Sequence, residues 1–190
     1  LIRRLAAVLA GSLLAGCASL PPPAMPARDL VHDFALEARF ALRVTLPEQA
    51  PQSSGGRLSW QHKNGGNHVL LANPLGYGLA EIETTPALSR LRTADGQTRE
   101  SSDADALIEA VTGQRLPITQ LPAWLLGRSA GAAQIVNDPQ ARPSRLREAG
   151  WQIDYSYDDE TAAALPTRLT LSRDGEIELR LRIEEWKANP

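Results

Sequence analysis

From Ile177 to Glu184 apolar and charged residues alternate without a break, with Ile177, Leu179, Leu181 and Ile183 set against Glu178, Arg180, Arg182 and Glu184. A period of two sends each set to its own face of an extended strand, so this segment folds only in a sheet with one dry and one wet side. The same period recurs upstream. Phe40, Leu42 and Val44 alternate with Ala41, Arg43 and Thr45, and Leu58 and Trp60 alternate with Arg57, Ser59 and Gln61. Asn64-Gly65-Gly66-Asn67 marks a hairpin into a strand at 68–72, and further strands are expected at 78–84 and 88–93, the last turning at Ala94–Gln97. Strands return at 151–157, 167–173 and 176–186, with a turn at Asp174-Gly175.

Other segments break this period. Leu30, Val31, Phe34 and Ala38 fall near one helical face, which predicts a helix over 28–38. The stretch "PEQAPQSSGG", 47–56, has the Pro, Ser and Gly content of a mobile loop. Ser102, followed three residues on by Asp105, is a near-capping box that opens a helix over 104–112, ended by Gly113. A second short helix over 119–126 holds Leu121, Trp124 and Leu125, with Gly127 as its C-cap. Eight or more sequential antiparallel strands with a helical insertion give a mainly β fold. A strongly curved sheet or open barrel, closed on its concave side by the helices, would bury the dry face.

The amino-terminal end carries a different pattern. Arg3 and Arg4 precede an apolar stretch from Leu5 to Leu14, too short to span a bilayer, and then Leu14-Ala15-Gly16-Cys17. This is a secretory signal whose end resembles the lipobox of bacterial lipoproteins. The resemblance implies cleavage after residue 16 and acylation of Cys17, and Ala18 and Ser19 after it imply the outer membrane. Cys17 is the one cysteine of the chain, so no intramolecular disulfide forms and no thiol is left as a nucleophile. "LPPPAMPA", 20–27, then reads as an extended tether between the lipid and a single domain over 28–190. Without the leader's two arginines, acidic residues exceed basic ones by about four, which gives no sign of a nucleic-acid binder.

Chemistry-bearing motifs are scarce. His32, His62 and His68 have no third ligand at metal spacing and read as polar surface; no metal or other cofactor is expected. No GxSxG, HExxH or phosphate-cradling glycine loop occurs, and Asp158, Asp159, Glu184 and Glu185 read as solvated charge. These observations favour binding or transport over catalysis. The four tryptophans, Trp60, Trp124, Trp151 and Trp186, sit on separate elements and suit either a packed core or the wall of a hollow one.

One turn places an apolar side chain where polar residues are usual. Asn73-Pro74-Leu75-Gly76 has the residue order of a type I turn, with Leu75 near its apex.

The chain resembles the LolB family of outer-membrane lipoprotein receptors. The resemblance rests on "LAGC", "RLSW" ending at Trp60, "LLANPLG", "LIEAVTGQRLPITQLPAWLLGR" from Leu107 to Arg128, "GWQIDYSY", "LPTRLTL" and a closing strand ending at Trp186. One departure is Phe40, where family members often have glycine. The resemblance implies an incomplete β-barrel with an α-helical lid around an apolar cavity. It also implies a non-enzymatic role, in which acylated lipoproteins are taken from LolA, a soluble periplasmic carrier of similar fold, and placed in the inner leaflet of the outer membrane. The position of Leu75, flanked by Pro74 and Gly76, matches a protruding loop used for insertion. Strand parity proposes Phe40, Leu42, Trp60, Leu71, Ile82, Trp124, Leu125, Ile153, Tyr155, Leu169, Leu171, Leu181 and Ile183 as cavity or lid residues. The expected partners are the carrier, the lipoprotein cargo and outer-membrane lipid, met by a lipid-anchored monomer facing the periplasm. The competing assignment is another lipid-binding or scaffolding lipoprotein of that membrane.

Overall fold

The structure, a computed structural model, describes residues 27–112 and 114–189. Cys17, the leader, nearly all of the tether, and Gly113 lie outside the described residues. Eleven strands form one antiparallel sheet: β1 (Asp33–Val44), β2 (Gln52–Lys63), β3 (Gly66–Ala72), β4 (Gly78–Thr84), β5 (Ser89–Thr93), β6 (Thr98–Ser101), β7 (Gln134–Asn137), β8 (Pro143–Glu148), β9 (Trp151–Ser156), β10 (Arg168–Arg173) and β11 (Ile177–Asn189). Their spatial order is β6-β5-β4-β3-β2-β1-β11-β10-β9-β8-β7. The first and last strands therefore meet at the centre, and the two edges, β6 and β7, stay unpaired with each other. This is an incomplete barrel, and the chain between its edges carries α1 (Ala104–Thr112) and α2 (Leu121–Leu125).

The helix expected over 28–38 is instead a single 3-10 turn at Arg28–Leu30 followed by β1. Phe34 and Ala38 suit a helix, but Phe34, Leu36, Ala38, Phe40 and Leu42 also alternate, and only the strand pairs on both sides, with β2 and β11. A sheet partner on each flank outweighs a weak local propensity. The expected loop over 47–56 is also shorter than predicted. Gln52 to Gly56 already belong to β2 and pair with Val44 to Phe40.

Gly56 lies under the ring of Phe40. A Cβ there would stand 2.0 Å from the carbonyl oxygen of Ala72 and 3.2 Å from Cε1 of Phe40. The strand thus approaches β3 as only glycine allows, and the aromatic ring covers the gap. Gly56→Ala is expected to cost about 1–3 kcal/mol by forcing β2 and β3 apart, the usual range for overpacking, measured as a lower urea midpoint.

The closing strand contains a bulge that strict alternation does not predict. Glu37 pairs with Glu185 but Ala38 pairs with Ile183, so Glu184 is skipped. Parity reverses there, and Trp186 turns inward beside Phe34, ring centroids 5.5 Å apart and edge to face, with its Nε1 donating to the Pro166 carbonyl at 2.8 Å. Strands β6, β7 and β8 are absent from the sequence reading because charged residues and Pro143 mask their period. The first helix spans the expected residues, but its cap is Asp103 rather than Ser102: Asp103 Oδ1 accepts the Ala106 amide at 3.0 Å.

Candidate functional site

The inner face of the sheet is a continuous apolar surface. Leu36, Leu58, Trp60, Val69 and Ile82 face it from one half, and Leu146, Ile153, Leu169, Leu171 and Leu181 from the other, all buried. Over this face lies the helical segment, which contributes Leu107, Ile108, Ile118, Leu121, Trp124 and Leu125. The turn of chain after α2 is ended by Gly127 at φ +69°, where its amide donates to Trp124 O at 2.9 Å and the Arg128 amide donates to Ala123 O at 2.9 Å. These two bonds form the Schellman stop that glycine permits.

Specific polar contacts hold the lid among the described residues, one of them from Arg173 Nη1 to the Arg115 carbonyl at 3.3 Å. Trp124, fully buried, donates its Nε1 proton to Glu148 Oε2 at 2.7 Å, and the Ala130 amide donates to the same oxygen at 3.0 Å. The Tyr155 hydroxyl donates to the Trp124 carbonyl at 3.0 Å. Burial pushes the pKa of this phenol well up, so it stays protonated and able to donate. Beyond α2, Arg128 reaches back to the carbonyls of Val31, at 2.7 Å, and Arg28. The indole of Trp124 stands 6.3 Å from that of Trp151, over which Arg173 is laid at 5.1 Å.

All thirteen residues proposed from strand parity lie at this interior or its margin. Trp60, Ile82, Trp124, Leu125, Ile153, Tyr155, Leu169, Leu171, Leu181 and Ile183 are buried, while Phe40, Leu42 and Leu71 are half-buried against them. With the lid seated they fill one another's space. Two voids open to solvent lie elsewhere: 710 Å³ at Ala132–Gln134, Arg147–Gln152, Ser172 and Asp174, and 540 Å³ between α2 and the ends of β2 to β5.

The second void has a polar floor. Asn67 Oδ1 accepts from Trp60 Nε1 at 3.0 Å and lies 2.8 Å from His62 Nδ1, while Asn67 Nδ2 donates to Thr84 Oγ1 at 2.8 Å. His62 is therefore half-buried and stacked on Phe34 at 5.3 Å, rather than polar surface as expected. His62 and His68 do not face each other, because their registers differ by one residue and their side chains take opposite faces: His62 pairs with Asn67, and His68 with Gln61. His32 is exposed. His68 does have carboxylate neighbours that linear spacing hides. The ligand atoms of His68, Glu81 and Glu83 lie within 4.8 Å of one another across β3 and β4, but Arg92 and Arg90 stand 3.7 Å from Glu81 and Glu83 and supply the positive charge.

The turn at 73–76 forms as its residues predict. Gly76, at φ +93°, donates its amide to Asn73 O at 2.9 Å, and Asn73 Oδ1 accepts from the amides of Leu75 at 2.9 Å and Tyr77 at 3.1 Å. The Asn73 side chain thus locks a rigid hairpin tip. Leu75 does not fold back: it is 82% exposed, and Tyr77 beside it is 70% exposed.

Sequence reasoning misses Glu148 and Tyr77. Glu148 shares strand parity with the buried Leu146, so an acid at an inward position was the available signal. Tyr77 was legible as a second large apolar residue beside the turn.

The fold agrees with what the chain is similar to. The family model described as "Outer membrane lipoprotein LolB" matches residues 32–186. An outer-membrane lipoprotein LolB of Dechloromonas aromatica is 68% identical over 187 residues, covering 98% of each chain. One from Azoarcus sp. is 34% identical over 185 residues, covering 95% of this chain and 93% of its own. A crystal structure of a LolA superfamily protein from Nitrosomonas europaea has a TM-score of 0.50 at 14% identity, over 86% of this chain and 90% of its own, a likeness of fold alone. A match that runs from before β1 to the inward Trp186, and so takes in both halves of the sheet and the lid between them, places this chain in the LolB family.

Proposed function

We propose that this protein is an outer-membrane receptor that accepts acylated lipoproteins from a LolA-type periplasmic carrier and inserts them into the inner leaflet of that membrane. Residues 1–16 are removed, Cys17 is acylated, and 17–27 tether the domain to the bilayer. The observation that carries the reading is an apolar sheet face closed by a lid whose polar ties, among the described residues, include Trp124 to Glu148, Tyr155 to Trp124 and Arg128 to Val31.

Each methylene of a cargo acyl chain exposed to water costs about 0.8 kcal/mol. A surface that exchanges lid side chains for acyl chains shelters the cargo without breaking a covalent bond. Lifting α2 exposes Ile153, Leu169, Leu171 and Leu181, which then contact lipid in place of Trp124 and Leu125. No catalytic step is needed, and direction follows from successively better acceptors, ending at the bilayer.

Titrating the protein with a fluorescent fatty acid tests the shelter. Saturable uptake, reversed by a lipoprotein-loaded carrier, is expected; a scaffold with a permanently filled core takes up none.

A further inference from the structure

On the wet face of the sheet, arginines stand directly opposite one another on four neighbouring strands. Arg57 of β2 pairs with Arg39 of β1, Arg39 with Arg182 of β11, and Arg182 with Arg168 of β10. All four are exposed. At the spacing of paired strands the row is about 15 Å long. Like charges placed directly opposite destabilise a sheet, so packing does not account for three such pairs in succession. Arg39 is offset by Glu184 at 2.7 Å and Arg168 by Asp158 at 2.9 Å, but among the described residues Arg57 and Arg182 have no ion-pair partner.

The placement of the row is informative. Its first member, Arg57, is in register with Ala72, the last residue of β3 before the Leu75 turn. On the same face, one rung further from that turn, Glu37 is opposite Glu185, so positive charge is concentrated toward the hairpin end.

We propose that the row Arg57, Arg39, Arg182 and Arg168 docks on the phosphate headgroups of an anionic phospholipid bilayer, laying the sheet beside the membrane when the Leu75 tip enters it. The proposal rests on the Leu75 reading for its orientation. Arginine suits this role because its guanidinium forks onto phosphate oxygens.

The test uses the lipid-anchored protein in vesicles of phosphatidylcholine with or without phosphatidylglycerol. A nitroxide on Ala41→Cys, two residues from Arg39 on the same face, reports collisions with a water-soluble relaxant. Accessibility is expected to fall several-fold when phosphatidylglycerol is present and to recover at high salt. Arg57→Gln with Arg182→Gln should lower the ratio of docked to free protein about 30-fold, at about 1 kcal/mol per charge near the surface, while Arg99→Gln at the far sheet edge leaves it unchanged. Equal accessibility in both lipids, or an equal effect of Arg99→Gln, overturns the proposal. So does a double variant that docks normally yet no longer accepts lipoprotein, which assigns the row to an acidic carrier surface.

A nitroxide on Leu75→Cys reads the tip separately. A tip in the bilayer with an unprotected row sinks this proposal alone; a tip in water with a protected row sinks the Leu75 reading and leaves the docking.

Discussion

Leu75→Glu is expected to accept lipoprotein from the carrier at the normal rate and to deliver it to liposomes at least 100-fold more slowly. Leucine enters a hydrocarbon environment favourably, whereas an acidic side chain costs about 2.5–3.5 kcal/mol there, and the difference is roughly two decades in the population of the inserted tip. The variant should fold normally. Leu75 is 82% exposed and the turn is held by Asn73, whose side chain and carbonyl take the bonds that define it. Acceptance is spared because the exposed Leu75 is no part of the buried inner-face cluster that would shelter the cargo. A transfer assay with purified carrier, scored for acceptance and delivery in separate steps, checks this. Normal delivery by the variant would remove Leu75 from the insertion step.

Trp124→Ala is expected to give the largest loss of stability, about 3–5 kcal/mol, and to free the lid. The indole is fully buried and its removal also leaves Glu148, 6% exposed, with one donor fewer. Against a typical stability of about 5–15 kcal/mol the domain should still fold, but with rapid amide exchange from Ile118 to Ala130. Trp124→Phe separates packing from the hydrogen bond. It keeps most of the apolar volume and loses the bond to a carboxylate, worth about 1.5–3 kcal/mol. If both variants leave exchange in the lid at the wild-type rate, Trp124 does not secure it.

Much of the inner surface was readable in the sequence because it depends on parity. Leu169 and Leu171 sit on a strand with unbroken alternation, and Leu181 and Ile183 on the part of β11 that precedes its bulge, so the side of the sheet they occupy follows from parity alone. The tip at Leu75 was readable for another local reason, since Asn, Pro and Gly each fix one position of the turn. Where neighbours distant in sequence decide, the reading failed. The helix expected over 28–38 gave way to β1 because β11, more than a hundred residues later, supplies a hydrogen-bonding edge to it. Strands β6 to β8 were invisible because charged residues and Pro143 interrupt their alternation, and the edge strands β6 and β7 bury little on either face.

By itself, the sequence determined a one-faced antiparallel sheet, an interrupting pair of helices and an exposed leucine on a rigid turn, all products of short-range periodicity and backbone sterics. Tertiary structure decided the rest: that the first and last strands meet at the centre, that skipping Glu184 turns Trp186 inward, that Glu148 fastens the lid, and that four arginines line up across strands. Each depends on register between segments far apart in the chain, and one residue of slip would reverse the face of every side chain involved.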